Sequence, residues 1–89
     1  IIGYDNIDDA IAIANDSDFG LAGYVNGVDK EQCNAVAKRM RTGWISINGG
    51  FDFQAPFGGM KRSGNGREWG EFGFHEYVEI KAMLGYAPA

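Results

Sequence analysis

Basic residues around a glycine turn are the first candidates for chemistry in this sequence. Lys61, Arg62 and Arg67 flank the turn that contains Gly64 and Gly66. Backbone N–H groups and cations gathered at such a turn can bind an anion in a nest. A solvated turn with incidental charges accounts for the same residues, so an anion-binding module is one of two interpretations. The spacing of a P-loop is absent.

The same glycines match a dinucleotide-binding fingerprint only in part. Gly64, Gly66 and Gly70 are present, but the third glycine comes one residue late. No predicted strand precedes the run, whereas the fingerprint works by placing a pyrophosphate on the helix that follows a strand. We therefore expect no dinucleotide site in this segment.

Glu68 and three phenylalanines are the candidates for a substrate site. Glu68 lies beside Trp69 between two glycine-rich turns, where apolar surroundings would favour a carboxyl group that carries protons. An ordinary acidic residue at a helix N-terminus is the alternative. Phe51, Phe53 and Phe57 could line an apolar pocket or fill a core.

Cys33 and His75 are weaker candidates for chemistry. Cys33 is the single cysteine and lies on the apolar stripe of a predicted helix, so we interpret it as a small core residue. One cysteine leaves no internal disulfide and is typical of a reducing compartment, which predicts a cytoplasmic protein. His75 is the only histidine and has no ligand spacing around it, so we expect no metal site.

The composition is that of an ordinary globular protein. The 89 residues carry a net charge of −4, with 45% hydrophobic and 22% charged residues. No nucleic-acid partner is expected, because duplex binding normally needs a basic face. No apolar run reaches the ~18–20 residues that span a bilayer, so no membrane partner is expected either. Because the chain is short and starts with Ile1 rather than Met, we expect a piece of a longer protein.

Two helices and two strands are predicted in the first half of the chain. Asn6 can cap a helix that ends near Asn15. The short apolar run 21–25 is typical of a buried strand. A second helix starts at Asp29 and leads into a strand over 44–48. These elements form a right-handed βαβ unit with parallel pairing, whose sheet needs further strands from elsewhere.

The second half is predicted to contain a long loop, a short helix and a strand. Residues 51–66 follow neither a helical nor a strand period, yet their apolar content favours an ordered, functional loop. A short helix can form within 69–77. Residues 77–84 then alternate apolar and polar types, the clearest strand pattern in the sequence. The predicted class is α/β, with residues 1–75 in one unit and residues 76–89 as a separate strand and tail.

The segment Pro56–Gly70, with the sequence PFGGMKRSGNGREWG, closely resembles the C-terminal signature of the aldehyde dehydrogenase superfamily. Blocks in Asp9–Ala22, Thr42–Asn48 and Glu76–Lys81 also match its order and spacing. The resemblance implies the C-terminal part of a parallel α/β catalytic domain, followed by an oligomerisation strand. Members of this family oxidise aldehydes to carboxylic acids with NAD or NADP, through a cysteine thiohemiacetal.

The resemblance assigns the central chemistry to residues outside this chain. The family's nucleophilic cysteine, general-base glutamate, oxyanion asparagine and Rossmann domain all precede the position of Ile1, and Cys33 does not match the nucleophile. We therefore expect the chain alone to be inactive and to bind neither NAD nor NADP.

Several residues of this chain match positions that have a role in the family. Phe57 matches an aromatic residue of the substrate tunnel, with Phe51 or Phe53 nearby, and Glu68 matches a glutamate that helps to move protons out of the active site. The resemblance also implies a subunit interface that includes Arg67, Tyr77, Glu79, Ile80 and Ala82. The implied partners are an aldehyde and further copies of the chain in a homo-oligomer. For the isolated chain, an assembly module that forms a dimer is the alternative function.

Overall fold

The computed structural model describes residues 1–87 of the 89-residue chain, and helices and short strands alternate along them. In chain order the elements are α1 (Ile7–Asn15), β1 (Phe19–Gly20), β2 (Ala22–Val25), α2 (Lys30–Arg39), β3 (Trp44–Ile47), β4 (Phe57–Gly58), β5 (Met60–Lys61), β6 (Arg67–Glu68) and α3 (Gly70–His75). This mixture of helices and paired strands confirms the predicted α/β class.

The starts of α1 and α2 are confirmed by their capping hydrogen bonds. The Asn6 Oδ1 atom accepts from the Asp9 N–H at 2.8 Å, and the Asp29 Oδ1 atom accepts from the Gln32 N–H at 3.2 Å. Acidic residues also occupy the first turn of each helix, where they stabilise the positive end of the helix dipole. Local sequence is therefore sufficient to place both N-termini.

The parallel pair β2 and β3, connected by α2, confirms the predicted βαβ unit. Ala22 lies opposite Trp44, and Val25 lies opposite Ile47. α2 packs on both strands, and α1 packs on α2. Among residues 1–87 no further strand extends this sheet. Two strands alone are marginally stable in water, so the βαβ unit depends on the contacts that surround it.

Two antiparallel pairs order the long loop. β1 pairs with β5, which sets Phe19 opposite Lys61, and β4 pairs with β6, which sets Phe57 opposite Glu68. The loop is thereby attached to the segment after α1 and folded back on itself. This confirms the prediction of an ordered loop, although the short strands within it were not expected.

Gly43 lies where the start of β3 passes very close to β4. A Cβ atom at this position would overlap the backbone carbonyl group of Gly58 and lie 2.9 Å from the Gly59 Cα atom. The Gly43 N–H also donates to the Gly20 carbonyl oxygen at 3.0 Å. The missing side chain is what allows the loop to dock on the βαβ unit.

The predicted strand over 77–84 is not formed within this chain. α3 is the last regular element of the described residues. A strand needs a neighbour for its N–H and C=O groups, and here the side chains of Tyr77 and Ile80 are 87% and 98% exposed. The expectation of a strand is therefore wrong for the single chain, and pairing with another subunit stays a prediction. Residues 88–89 of the predicted tail lie outside the described residues.

Few apolar side chains are buried in this structure. Ile11 and Cys33 are the buried apolar residues of the described part of the chain. Large apolar side chains are exposed along its length, among them Ile2, Tyr24, Val28, Phe72 and Leu84. The radius of gyration is 18.0 Å, against about 12 Å for a compact domain of this size. So much exposed apolar surface is unusual for a monomeric protein.

Candidate functional site

Five aromatic rings gather where the long loop meets β3 and α3. This aromatic cluster consists of Trp44, Phe51, Phe53, Phe57 and Trp69. The ring centroids of Phe51 and Phe53 are 4.7 Å apart, and those of Phe57 and Trp69 are 4.9 Å apart. The structure thus brings together the three phenylalanines that the sequence singled out, within the distances at which aromatic pairs attract.

Trp44 and Trp69 are members of the cluster that the sequence did not reveal. Trp44 approaches Phe57 at 5.7 Å and Phe51 at 6.1 Å between ring centroids, both edge to face. Trp69 contacts all three phenylalanines. The sequence placed Trp44 at the start of a strand and Trp69 beside Glu68, but no period connects either residue to the loop, so no sequence signal could pair them.

The backbone at Trp69 has an unusual conformation. Its φ and ψ are 66° and 158°, in a region that is almost restricted to glycine and costs a non-glycine residue about 1–3 kcal/mol. The next residue, Gly70, has φ of 58°, and a Cβ atom there would overlap the backbone carbonyl of Gln54. Such strain persists only where surrounding contacts fix it, and the rings around Trp69 supply those contacts.

Glu68 lies beside the aromatic cluster with an exposed side chain. It is opposite Phe57 in the β4–β6 pair, and opposite residues of an antiparallel pair project from the same face. Both residues line a shallow cleft whose wall also includes Leu21, Ser63 and Glu76. None of the hydrogen bonds between described residues involves the Glu68 carboxylate. Its carboxylate therefore faces solvent on the same side of the strand pair as the ring of Phe57.

The Arg67 side chain stabilises the glycine turn through hydrogen bonds to its backbone. Its Nη1 atom donates to the carbonyl oxygens of Gly59, Asn65 and Gly66 at 2.9, 2.8 and 3.0 Å. The ion pairs of the described residues are Asp8 with Arg39 and Asp18 with Arg62, so Arg67 has no carboxylate partner there. The predicted role of Arg67 in a subunit interface stays a prediction.

Lys61 attaches the loop to the C-terminal end of α1. Its Nζ atom donates to the carbonyl oxygens of Asn15 and Ser17, both at 2.9 Å. α1 has no basic residue in its own last turn, so Lys61 supplies the cation that the negative end of the helix dipole attracts. Ser63 adds a further contact, because its Oγ atom accepts from the Gly20 N–H at 2.9 Å.

The anion-binding interpretation of this turn is not supported. The backbone N–H groups of Arg62, Ser63 and Gly64 donate to the carbonyl oxygens of Asp18, Met60 and Lys61. Lys61 and Arg67 likewise donate to carbonyl oxygens. An anion would have to displace these contacts to bind. The donors instead hold the loop in shape.

The described residues do not fit a dinucleotide either. The glycines 64–70 lead through β6 into α3, a helix of only six residues that starts at a strained turn. In a dinucleotide site the glycine-rich turn itself joins a strand to the helix that receives the pyrophosphate. Here Gly64 and Gly66 precede β6, so this turn does not lead directly into α3.

Comparison with known proteins identifies the family. Residues 1–83 match the sequence model of the aldehyde dehydrogenase family. The chain belongs to this family. The chain is 55% identical over 87 residues to a 3-succinoylsemialdehyde-pyridine dehydrogenase of a Pseudomonas species. The match covers 97% of this chain and 18% of that protein, so the chain spans less than a fifth of its relative.

Solved structures of aldehyde dehydrogenases share the fold of this chain. A mutant of aldehyde dehydrogenase C from Pseudomonas syringae, in complex with NAD⁺ and octanal, is 54% identical with a TM-score of 0.88. A Mycobacterium tuberculosis aldehyde dehydrogenase in complex with NAD⁺ is 43% identical with a TM-score of 0.83. Both matches cover 99% of this chain, and 18% and 19% of the solved chains.

Cys33 has the environment of a core residue. Its side chain is 4% exposed, and its thiol is free. It belongs to α2 and lines a largely apolar cleft together with Ile11 of α1 and with Val36 and Met40. Among residues 1–87 no group of three or more His, Cys, Asp or Glu side chains could hold a metal ion, His75 included. None of the helices described here is long and apolar enough to cross a membrane.

Replacing Lys61 by methionine should loosen the attachment between the loop and α1. The change removes two charge-assisted hydrogen bonds from an exposed site, which corresponds to about 1 kcal/mol of stability. We expect a lower unfolding midpoint in the longer protein that contains this chain, measured by differential scanning fluorimetry. Lys30→Met, in the first turn of α2, is the control and should change stability by less than about 0.5 kcal/mol. Equal midpoints for the two variants would contradict the role of Lys61.

Proposed function

We propose that this chain is the C-terminal part of the catalytic domain of an NAD- or NADP-dependent aldehyde dehydrogenase, residues 1–75, followed by an oligomerisation strand and tail, residues 76–89. The observation that supports this most directly is the aromatic cluster with the Glu68 carboxylate beside it. Apolar rings bind the organic part of an aldehyde, and a carboxylate exchanges protons. The nucleophilic cysteine, the general-base glutamate and the dinucleotide domain then belong to the rest of the enzyme.

The chemical role of this chain is to bind the substrate and to move protons. Phe57, Phe51 and Phe53 contact the apolar part of the aldehyde and exclude water from it. Oxidation of an aldehyde to a carboxylic acid consumes water and releases protons, which must leave an apolar site. Glu68 accepts such a proton and passes it to solvent, because its carboxylate is exposed and lies opposite Phe57.

The proposal is tested with the complete enzyme that contains this chain. Aldehydes of different length and polarity are offered with NAD⁺ or NADP⁺ in separate assays, and reduced cofactor is followed by its absorbance. We expect aldehyde-dependent reduction with at least one substrate. The absence of activity with every aldehyde and both cofactors, in a folded enzyme, would overturn the proposal.

Replacing Glu68 by glutamine should slow turnover without weakening substrate binding. We expect kcat to fall about 10- to 100-fold, at or below the usual effect of a positioned proton carrier, with little change in KM. The amide keeps the size of the side chain but takes up no proton. Steady-state kinetics of the complete enzyme measure both constants.

Glu71→Gln is the control for this prediction. Glu71 is an exposed carboxylate in the first turn of α3, three residues further along the chain. Its substitution should leave kcat within about twofold, as for a surface change away from the reaction. An unchanged kcat in Glu68→Gln would remove Glu68 from the proposed proton path.

A second proposed role is assembly. Tyr77, Ile80 and the other apolar side chains of the tail are exposed, and no strand of the described residues pairs with it. We infer that Arg67, Tyr77, Glu79, Ile80 and Ala82 contribute to an interface with another subunit of a homo-oligomer. Pairing with a partner's sheet would satisfy the backbone of the tail and cover its apolar side chains.

The proposed location of the complete enzyme is the cytoplasm. The support for this is Cys33, a buried thiol without a disulfide partner among the described residues. Disulfides are rare in that compartment because its thiols are kept reduced. Fractionation of cells that express the tagged enzyme tests the prediction, and recovery outside the cytoplasmic fraction would overturn it.

A further inference from the structure

We propose that Trp69 positions Phe57 and thereby sets the preference of the enzyme for aldehydes with an aromatic or long alkyl group. The inference rests on the proposed function and extends it to substrate choice. Trp69 lies at the centre of the aromatic cluster and contacts Phe51, Phe53 and Phe57 through its indole ring.

The rings around Phe57 hold it from two directions. Trp69 lies against it with 4.9 Å between ring centroids and an interplanar angle of 32°. Trp44 meets Phe57 edge to face at 5.7 Å. Phe51 and Phe53 are 57% and 65% exposed, whereas Phe57 is only partly exposed. Of the three phenylalanines, which form the apolar wall of the proposed substrate site, Phe57 is thus the least exposed, and two tryptophan rings restrict its orientation.

The backbone conformation of Trp69 explains how its indole reaches the ring of Phe57. Successive residues of a strand project to opposite faces, so an indole that directly follows Glu68 would ordinarily point away from Phe57. The positive φ of 66° turns the chain between β6 and α3. The indole consequently reaches the ring of Phe57, whose cross-strand neighbour is Glu68. Trp69 thus contacts Phe57 and is bonded directly to Glu68, the residue that carries the carboxylate.

This arrangement acts differently on long and short aldehydes. An aromatic or long alkyl group has enough atoms to contact the ring of Phe57, and the fit depends on the orientation of that ring. A two-carbon aldehyde has no group that extends along the wall. Loss of the indole should therefore weaken the binding of bulky aldehydes and leave the short aldehyde nearly unaffected.

The test compares Trp69→Leu with the unmodified complete enzyme, using octanal, benzaldehyde and acetaldehyde. In Trp69→Leu, the ratio of kcat/KM for each bulky aldehyde to kcat/KM for acetaldehyde should fall about tenfold, as for a moderate change in an apolar pocket. Most of this fall should come from a higher KM for the bulky aldehyde. Trp69→Phe, which keeps a ring, should retain this ratio within about threefold. Trp69→Met is a second variant without a ring and gives the same comparison if the leucine variant folds poorly.

Phe72→Leu is the matched control, because Phe72 is an exposed aromatic residue of α3 outside the aromatic cluster. Its substrate ratio should equal that of the unmodified enzyme. An unchanged ratio in folded Trp69→Leu or Trp69→Met would overturn the inference while the proposed function stands. An equal loss for all three aldehydes would also overturn it, since that result indicates a purely structural role. Inactivity of the unmodified enzyme would overturn the proposed function itself.

Discussion

Replacing Gly43 by alanine should destabilise the protein by about 3 kcal/mol or more, the upper part of the range for overpacked sites. The new Cβ atom would overlap the backbone carbonyl group of Gly58 and come within 2.9 Å of the Gly59 Cα atom. Both neighbours are backbone atoms, so no side-chain rotation relieves the overlap. β4 must move away from β3, and Phe57, the first residue of β4, moves with it.

The measurement uses the complete enzyme carrying Gly43→Ala. We expect a lower yield of folded protein, a lower temperature of half-inactivation and a higher KM for apolar aldehydes. Gly3→Ala is the matched control, because a Cβ atom at Gly3 meets no atom within 4 Å. Its stability should stay within about 0.5 kcal/mol of the unmodified enzyme. A Gly43→Ala enzyme as stable as this control would show that β3 and β4 are not in close contact.

The isolated 89-residue chain should form dimers or larger assemblies at micromolar concentration and show no dehydrogenase activity. Ile11 and Cys33 are the buried apolar side chains of the described residues, and the tail residues Tyr77 and Ile80 are exposed. Burial of one such large side chain contributes about 1.5–3 kcal/mol, so association removes a substantial penalty. Sedimentation velocity gives the assembly state, and a stable folded monomer would contradict the prediction.

Ile80→Asp tests whether the tail carries this association. It places a charge where an interface would bury an apolar side chain, and the dissociation constant should rise at least about tenfold, or 1.4 kcal/mol. Val28→Asp is the control. Both side chains are β-branched and almost fully exposed, at 98% for Ile80 and 102% for Val28, but Val28 lies in the turn before α2. If both variants changed the dissociation constant equally, the tail would not be part of the interface.

The elements that local sequence determines were predicted well. Asn6 and Asp29 place the helix starts through their own side-chain hydrogen bonds, which depend on residues three positions away. The βαβ unit follows from the order of short apolar runs and a helical period. The strand over 77–84 was not formed, because alternation describes only one side of a pair and the partner strand is absent from the described residues.

The candidate site was predicted only in part, for a related reason. Phe51, Phe53, Phe57 and Glu68 were identified by type and by family resemblance, and the structure brings these rings together next to the carboxylate. Trp69 was not assigned a role, because its position in the cluster depends on a backbone conformation that its sequence neighbours do not indicate. Contacts between distant parts of a loop leave no periodic pattern.

The short connection between β2 and β3 has a consequence for the order of folding. Their parallel pair is joined by a single helix of ten residues, so it closes a small loop at low entropic cost. The pair of Phe19 with Lys61 closes a much longer one. During synthesis, β2 and β3 leave the ribosome before the loop does, so their pairing can begin first, and docking of the loop then stabilises it. The aromatic side of the proposed substrate site consequently assembles after pairing of β2 with β3 has begun.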